Sequence, residues 1–303
     1  MREFFKLLNL KYKINKCKFN VQECHNCMNE IHYEKKDYEC KKGTFYYFFK
    51  YYNRYASEFY HLLKNCFNDI EEEVNNVNNI LSIGSGPFTE GLAIEKFFSE
   101  HNTFNKLNIN CVDKNKIWED IQICMKKFLS KKGNKNCVFY YEDITEWKKI
   151  FKKQIEEVDL ILINYVLSNN KEKDKDWKKL TLILNFLKDF VVLKIANKQD
   201  FYILINEVNS KNTGRDQIID FIDEIKDIYE NIYTKKSFLK PDKLDDNIKE
   251  AIDECNKANF IEDTVNEKYF EFISFNEDRK TPNLTPTIDF KSCQFIIRSN
   301  YDS

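Results

Sequence analysis

The chain has 303 residues, 42% of them hydrophobic, which is enough for one large α/β domain with a smaller appended element. Its 48 Lys and Arg nearly cancel its 49 Asp and Glu, which excludes a global basic field of the kind that attracts nucleic acid. The balance is uneven, with about five excess positive charges over residues 1–60 and about six excess negative ones over the rest. A basic front end could steer a polyanion, or it could be no more than a solvated helical surface.

Asn, Lys and Ile are heavily used, yet aromatic residues make up 15% of the chain, which argues against disorder. The segment Met1-Arg2-Glu3-Phe4-Phe5-Lys6 has no long apolar region and no small-residue cleavage site, and no apolar run reaches bilayer-spanning length. A cytoplasmic protein without membrane contact is expected. Its ten cysteines then read as reduced thiols or metal ligands, not disulfides.

In chain order, residues 1 to about 42 are basic, cysteine-bearing and irregular. An aromatic-rich helix follows from Gly43 to about Asn65, with Thr44-Phe45-Tyr46-Tyr47-Phe48-Phe49-Lys50-Tyr51-Tyr52 continuing through Tyr55, Phe59 and Tyr60. Its rings lie almost all around the axis, so most of its surface should be buried. It packs against the main domain, and closure as a lid over a ligand is compatible with that. From about residue 75, strand-like runs alternate with helical patterns. The strands are Ile80–Ile83, Ile109–Val112, Val138–Tyr141, Val158–Asn164, Phe201–Val208, Phe270–Phe275 and Gln294–Arg298. The helices are Thr89–Ser99, Ile117–Leu129, Thr145–Ile155, Trp177–Leu187 and Asp216–Tyr233. This alternation predicts an α/β fold: a doubly wound, mostly parallel, seven-stranded sheet. The last two strands are separated by the Pro-containing stretch Lys280–Thr287 without a helix, which predicts an antiparallel edge pair. The expected division is a helical, cysteine-bearing element over 1–74 and a Rossmann-like domain over 75–303. The charge run Lys171–Asp176 reads as a solvated loop.

The chain has only six glycines, and Gly84, Gly86 and Gly91 fall within one short stretch, Asn79-Ile80-Leu81-Ser82-Ile83-Gly84-Ser85-Gly86-Pro87-Phe88-Thr89-Glu90-Gly91. A strand runs into a tight turn and a helix follows. Glycine is required where the backbone takes positive φ or a ligand approaches closely, and Pro87 is placed to open the helix. The next strand ends in Asp113, where a carboxylate can accept both hydroxyls of an adenosine ribose; a helix cap or exposed turn is the alternative. A dinucleotide site would want a third glycine where this chain has Thr89. Pro87 also removes a backbone donor that a pyrophosphate would use, and S-adenosylmethionine has no phosphates.

Leu81-Ser82-Ile83-Gly84-Ser85-Gly86-Pro87 resembles motif I of the class I S-adenosylmethionine-dependent methyltransferases, and Asp113 resembles their motif II acid. Val138-Phe139-Tyr140-Tyr141-Glu142-Asp143-Ile144 is similar to their third motif. There the resemblance implies that Asp143 holds the adenine amino group and Ile144 packs on the ring. Asp143 could equally cap the helix near Thr145. Val158–Tyr165 is similar to the fourth strand, whose end faces the transferred methyl. The likeness spans about residues 75–300. It implies that Gly84, Ser85, Gly86, Pro87, Asp113, Asp143 and Ile144 bind S-adenosylmethionine.

Methyl transfer from a sulfonium is an in-line displacement in which positioning supplies much of the acceleration. A base is needed only where the acceptor loses a proton. Asn164 and Tyr165, with Ser168 near them, are placed to line the acceptor site, neither of the first two being assigned as a base. The Pro-Pro motif of enzymes acting on planar amino groups is missing; this chain has Asn164-Tyr165-Val166-Leu167.

Cys17, Cys24, Cys27 and Cys40 crowd into 24 residues, the middle pair with C-x-x-C spacing. They are candidate ligands for a structural zinc, or ordinary thiols. A zinc-bearing basic front end would suit RNA or a ribonucleoprotein as partner. Competing functions are an inactive S-adenosylmethionine-binding scaffold, a nicotinamide enzyme and an aminopropyl transferase. The last two are disfavoured by Thr89 with Pro87 and by the lack of an acidic polyamine site.

Overall fold

A computed structural model describes residues 1–18, 39–68, 70–101, 106–133, 135–146, 154–167, 178–209, 214–239, 246–263 and 292–300. Short apolar runs bounded by turns pair as buried strands: β1 (Asn79–Ile83), β2 (Leu107–Val112), β3 (Lys135–Tyr140), β4 (Leu160–Asn164) and β5 (Tyr202–Val208). They are joined by β6 (Ile232–Leu239), β7 (Ile261–Asp263) and β8 (Ser292–Ser299) in the order β3-β2-β1-β4-β5-β8-β6-β7. All neighbours pair in parallel except β8, which is antiparallel to β5 on one side and β6 on the other. The sheet is doubly wound and mostly parallel, as the alternation of patterns predicts.

Strand periodicity divides the core in two. Ile80, Leu160, Leu162, Tyr202, Leu204 and Ile296 face one side. That side is covered by α1 (Arg2–Ile14), α2 (Lys41–Phe67), α3 (Glu90–Glu100) and α4 (Glu119–Lys131). Leu81, Ile83, Ile161, Ile163, Ile203 and Ile205 face the other, under α5 (Lys178–Ala196) and α6 (Arg215–Ile228). A seventh helix, α7 (Asp246–Lys257), buries Cys255 against this second core.

The described strands number eight, not seven. The helix expected to reach Tyr233 stops at Ile228, because Tyr229 turns extended (φ −125°, ψ 113°) and the chain enters β6. The expected strand Phe270–Phe275 lies outside the described residues, as does the charge run Lys171–Asp176. Within them the antiparallel partners of β8 are β5 and β6. Most of the expected helix Thr145–Ile155, residues 147–153, lies outside the described residues; its described ends are 3₁₀ turns at Ile144–Glu146 and Ile155–Glu157. Residues 1–42 are not irregular throughout. Phe4, Phe5, Leu8 and Tyr12 form a helical stripe that α1 buries against α2 and α4. Phe4 meets the Phe128 ring at 5.1 Å and Tyr12 meets Phe49 at 6.1 Å.

The turn after β1 also departs from expectation. Pro87 does not open the helix. Phe88 N–H donates to Ser85 O (2.6 Å), closing a four-residue turn, and α3 starts at Glu90. Phe88 itself sits at φ +59°, a region that large side chains rarely adopt, with its ring fully buried. Gly91 makes room for that ring: a Cβ there would lie 2.8 Å from Phe88 Cε1 and 3.2 Å from Met125 Cγ. Gly91→Ala should therefore destabilise the fold by about 1–3 kcal/mol through overpacking. This outweighs alanine's helix-propensity advantage of about 1 kcal/mol. Urea denaturation checks it, and an equally stable or stabilised variant would mean that the ring can move aside.

Candidate functional site

Strands β1 to β4 end on the same side of the sheet, and the order reverses between β1 and β4. Open α/β sheets leave a crevice at such a switch point. The glycine turn follows β1, Asp113 follows β2, Asp143 follows β3, and Asn164 with Tyr165 closes β4. The fold thus brings the glycine turn, Asp113, Asp143, Asn164 and Tyr165 to one end of the sheet.

Gly84 and Gly86 both take positive φ, +61° and +48°. Gly86 N–H donates to Asp113 Oδ2 (2.8 Å), and Asn115 N–H donates to Asp113 Oδ1 (2.7 Å). Each carboxylate oxygen therefore keeps acceptor capacity. Burial raises the Asp113 carboxyl above its usual range, and the two amide bonds oppose that shift. Ser85 N–H donates to Val112 O (3.1 Å), so the amides of Ser85, Gly86 and Phe88 all bond within the protein, and Pro87 has none. Gln122 Nε2 donates to Gly86 O (2.7 Å). The Ser85 hydroxyl and the Gln122 carbonyl oxygen are buried and have no partner. Trp118, almost fully buried, lies 4.0 Å from where a Gly86 Cβ would sit.

Asp143 accepts from Thr145 N–H (3.0 Å) and Thr145 Oγ1 (2.9 Å), so it caps the 3₁₀ turn. Ile144 is buried in the core under α5. Val166 packs its methyls directly over Gly84, where a Cβ would meet them at 2.4 Å and 2.6 Å. Ser168, Cys24 and Cys27 lie outside the described residues. Cys40 is buried at the start of α2 and Cys17 is half-buried. Among the described residues, no group of three or more His, Cys, Asp or Glu is placed to hold a metal.

Tyr165 is a second strained residue, at φ +57°. Its hydroxyl donates to Glu58 Oε2 (2.6 Å) and accepts from Arg54 Nη2 (2.8 Å). Arg54 Nε also donates to Glu58 Oε1 (3.0 Å), and the Glu58 side chain is fully buried. Asn206 Nδ2, on β5, donates to Glu58 Oε2 (3.2 Å) and Asn164 Oδ1 (2.9 Å). Gln294 Nε2, on β8, donates to Asn206 Oδ1 (3.1 Å) and Glu58 O (2.8 Å). Burial pushes the Tyr165 hydroxyl well up, Arg54 opposing, so it remains a neutral donor. A polar belt thus crosses β4, β5 and β8 and ties α2 down over the strand ends. Sequence patterns do not single out Arg54, Glu58 or Asn206. An i,i+4 Arg–Glu pair on a helix reads as surface decoration, and only the tertiary fold buries it.

The belt continues to β1. Ser82 Oγ donates to Glu90 Oε1 (2.7 Å), and Asn164 hydrogen-bonds the same carboxyl. Burial lifts Glu90 to about 7, opposed by bonds from Ser82, its own backbone, Asn164 and Thr89. A carboxyl raised in the fold stabilises it fully below the unfolded value near 4.5, and that contribution is lost as pH rises through about 7. Glu90→Gln should remove this loss, gaining about 3 kcal/mol on wild type between pH 5 and pH 8. Urea titrations of both proteins at the two pH values test it; equal pH dependence would mean that Glu90 titrates normally.

Aromatic rings line the inner face of α2. Tyr51 stacks on Tyr55 (5.4 Å), Tyr55 meets Tyr165 (4.3 Å), and Tyr47 meets Trp118 (5.6 Å). The helix therefore runs from Trp118, beside Gly86, to Tyr165 at the end of β4.

No protein-family model and no curated protein matches the chain. Among solved structures, the chain is similar to the plantazolicin methyltransferase BpumL, in complex with a monoazolic desmethylPZN analog and SAH. The identity is 13% and the TM-score 0.44, covering 99% of each chain. It is also similar to a SAM-dependent methyltransferase from Archaeoglobus fulgidus, with 14% identity and a TM-score of 0.37, covering 79% of this chain and 94% of that one. No helix among the described residues is long and apolar enough to cross a membrane.

Proposed function

We propose that this chain transfers a methyl group from S-adenosylmethionine to an acceptor held at the end of β4. The observation that carries this reading is the glycine turn. The amides of Ser85, Gly86 and Phe88 are already bonded within the protein and Pro87 has none, which leaves little for a pyrophosphate. Asp113 faces it with one acceptor position left on each oxygen, which suits a ribose diol. The partnerless Ser85 hydroxyl and Gln122 oxygen give a polar ligand further bonds to complete.

S-adenosylmethionine, when bound, supplies an already activated methyl group. Gly84, Ser85, Gly86, Pro87 and Asp113 would hold its nucleoside side, with Asp143 and Ile144 toward the adenine. Asn164 and Tyr165 would line the acceptor, and Arg54 and Glu58 position the Tyr165 ring. The basic front end favours RNA or a ribonucleoprotein as acceptor. A zinc held by Cys17, Cys24, Cys27 and Cys40 would support that end; metal analysis of untagged protein should then find about one zinc per chain.

A second reading, an S-adenosylmethionine-binding scaffold without turnover, is favoured by one feature: the Tyr165 hydroxyl is engaged by Arg54 and Glu58 beneath α2. Calorimetric titration with S-adenosylmethionine, S-adenosylhomocysteine and NAD tests the ligand class. Saturable binding of the two sulfur ligands and not NAD is expected. Binding of NAD alone, or of none, would overturn the reading. A methyl-transfer assay on RNA then separates enzyme from scaffold.

A further inference from the structure

Strand β6 is paired along its whole length on one side only. Asn300 N–H donates to Asn231 O (3.0 Å), and two residues on Tyr233 stands opposite Arg298 in the same ladder. Hydrogen bonding alternates along an antiparallel pair, so the backbone N–H and C=O of Thr234 and Lys236 point away from β8. On that outer side β7 pairs only from Ser237 onward. Among the described residues no strand lies beside residues 232–236 there. Against this edge sits a cavity of about 330 Å³, lined by Lys226 of α6, by Thr234, Lys235 and Lys236 of β6, and by Ile261.

The charge of the cavity is one-sided. Its single lining acid, Asp223 of α6, is held by Lys236 Nζ at 2.9 Å and 3.2 Å. Lys226 and Lys235 have no ion pair among the described residues. They approach the edge from opposite faces of the sheet. Lys226 is on α6, on the face where Lys236 meets Asp223, and strand alternation puts Lys235 on the other face with Tyr233.

We propose that an extended acidic segment of a partner protein adds to β6 as a further edge strand over residues 232–236. Its backbone takes the outward ladder positions of Thr234 and Lys236, and its carboxylates meet Lys226 and Lys235. Main-chain bonds to an open edge supply affinity, and side chains of alternating direction supply selectivity. Like charges opposite one another destabilise a strand pair. The lysines therefore repel a second copy of this edge, a common guard against wrong pairing, while they attract an acidic strand. Strands β5 and β8 separate the edge from β4, so the inference stands whether or not the crevice transfers methyl groups.

Fluorescence anisotropy with the full chain would use the fluorescein-labelled peptide Val-Glu-Glu-Val-Glu-Glu-Val. Its β-branched residues favour the extended form, and its acids fall on both faces. Saturable binding is expected, at least about tenfold tighter than that of the same peptide with lysine in place of glutamate. N-methylation of its third and fourth residues removes a donor on each edge without changing charge, and should weaken binding about tenfold. Lys226→Glu combined with Lys235→Glu should weaken it about tenfold, with circular dichroism unchanged. Hydrogen exchange at the Thr234 amide should slow when the peptide is added. No binding, equal binding of the basic peptide, an N-methylated peptide that binds like its parent, or an unchanged Thr234 exchange rate would each overturn the inference. So would self-association through this edge that survives in the Lys226→Glu, Lys235→Glu protein, which would put a second copy there instead.

Discussion

Asp113→Ala is expected to weaken S-adenosylhomocysteine binding by at least about 100-fold. A ribose diol would place one hydroxyl on each carboxylate oxygen, and hydrogen bonds to a charged group contribute about 1.5–3 kcal/mol each. Two of them exceed the 2.8 kcal/mol or so that separates affinities by 100-fold. The variant has a second effect. The Gly86 and Asn115 amides that now bond the carboxylate would lose their acceptor. Leaving partly buried donors unpaired costs about 1–3 kcal/mol each. Circular dichroism should therefore accompany calorimetry, with Asp113→Asn as the milder change that keeps one acceptor oxygen. Unchanged affinity in a folded Asp113→Ala protein would remove this residue from the ligand site.

Gly86→Val should abolish binding while the chain still folds. The glycine sits at φ +48°, where a β-branched side chain is strained by about 1–3 kcal/mol. Space is not the obstacle, since the nearest atoms to a Cβ there are 3.9–4.0 Å away. Two of those atoms are Asp113 Oδ2 and Trp118 Cε2. The valine methyls would thus stand between the acid and the indole, in the space assigned to the nucleoside. Gly84 and Gly91 differ: a Cβ at either collides with the protein's own side chains. Full retention of affinity in Gly86→Val, measured by the same calorimetry, would remove the turn from the binding site.

The glycine turn, Asp113 and the five parallel strands were legible because each is local. A short apolar run, a residue type forced by backbone geometry, and a carboxylate at a strand end are all properties of a few adjacent residues. Strand β6 was not, because Asp216–Ile228 is so strongly amphipathic that its helical period masks the onset of Ile232–Leu239, whose partner β8 is remote in sequence. The stripe Phe4, Phe5, Leu8 and Tyr12 has helical spacing, but lysines and nearby cysteines obscure it. Arg54 and Glu58 carried no signal at all. Their role comes from lying over Tyr165 and Asn206, contacts with sequence separations of 107 and 148.

The placement of β8 governs the order in which the sheet can be assembled. β1 to β5 pair with one another directly and can zip together as they are made. β6 and β7 have no edge to dock on until Ser292–Ser299 slides in antiparallel beside β5. Until then the edge of β5 and the facing edge of β6 both carry unpaired backbone groups, the kind of exposed edge that invites wrong pairing. The pairing of β5 with β8 closes a long loop, which costs chain entropy before its contacts form. Gln294 on that strand bonds both Glu58 and Asn206. The polar belt beneath α2 is therefore complete only with β8 in place, so a chain lacking Ser292–Ser299 would hold the glycine turn without the Gln294 bonds to Glu58 and Asn206.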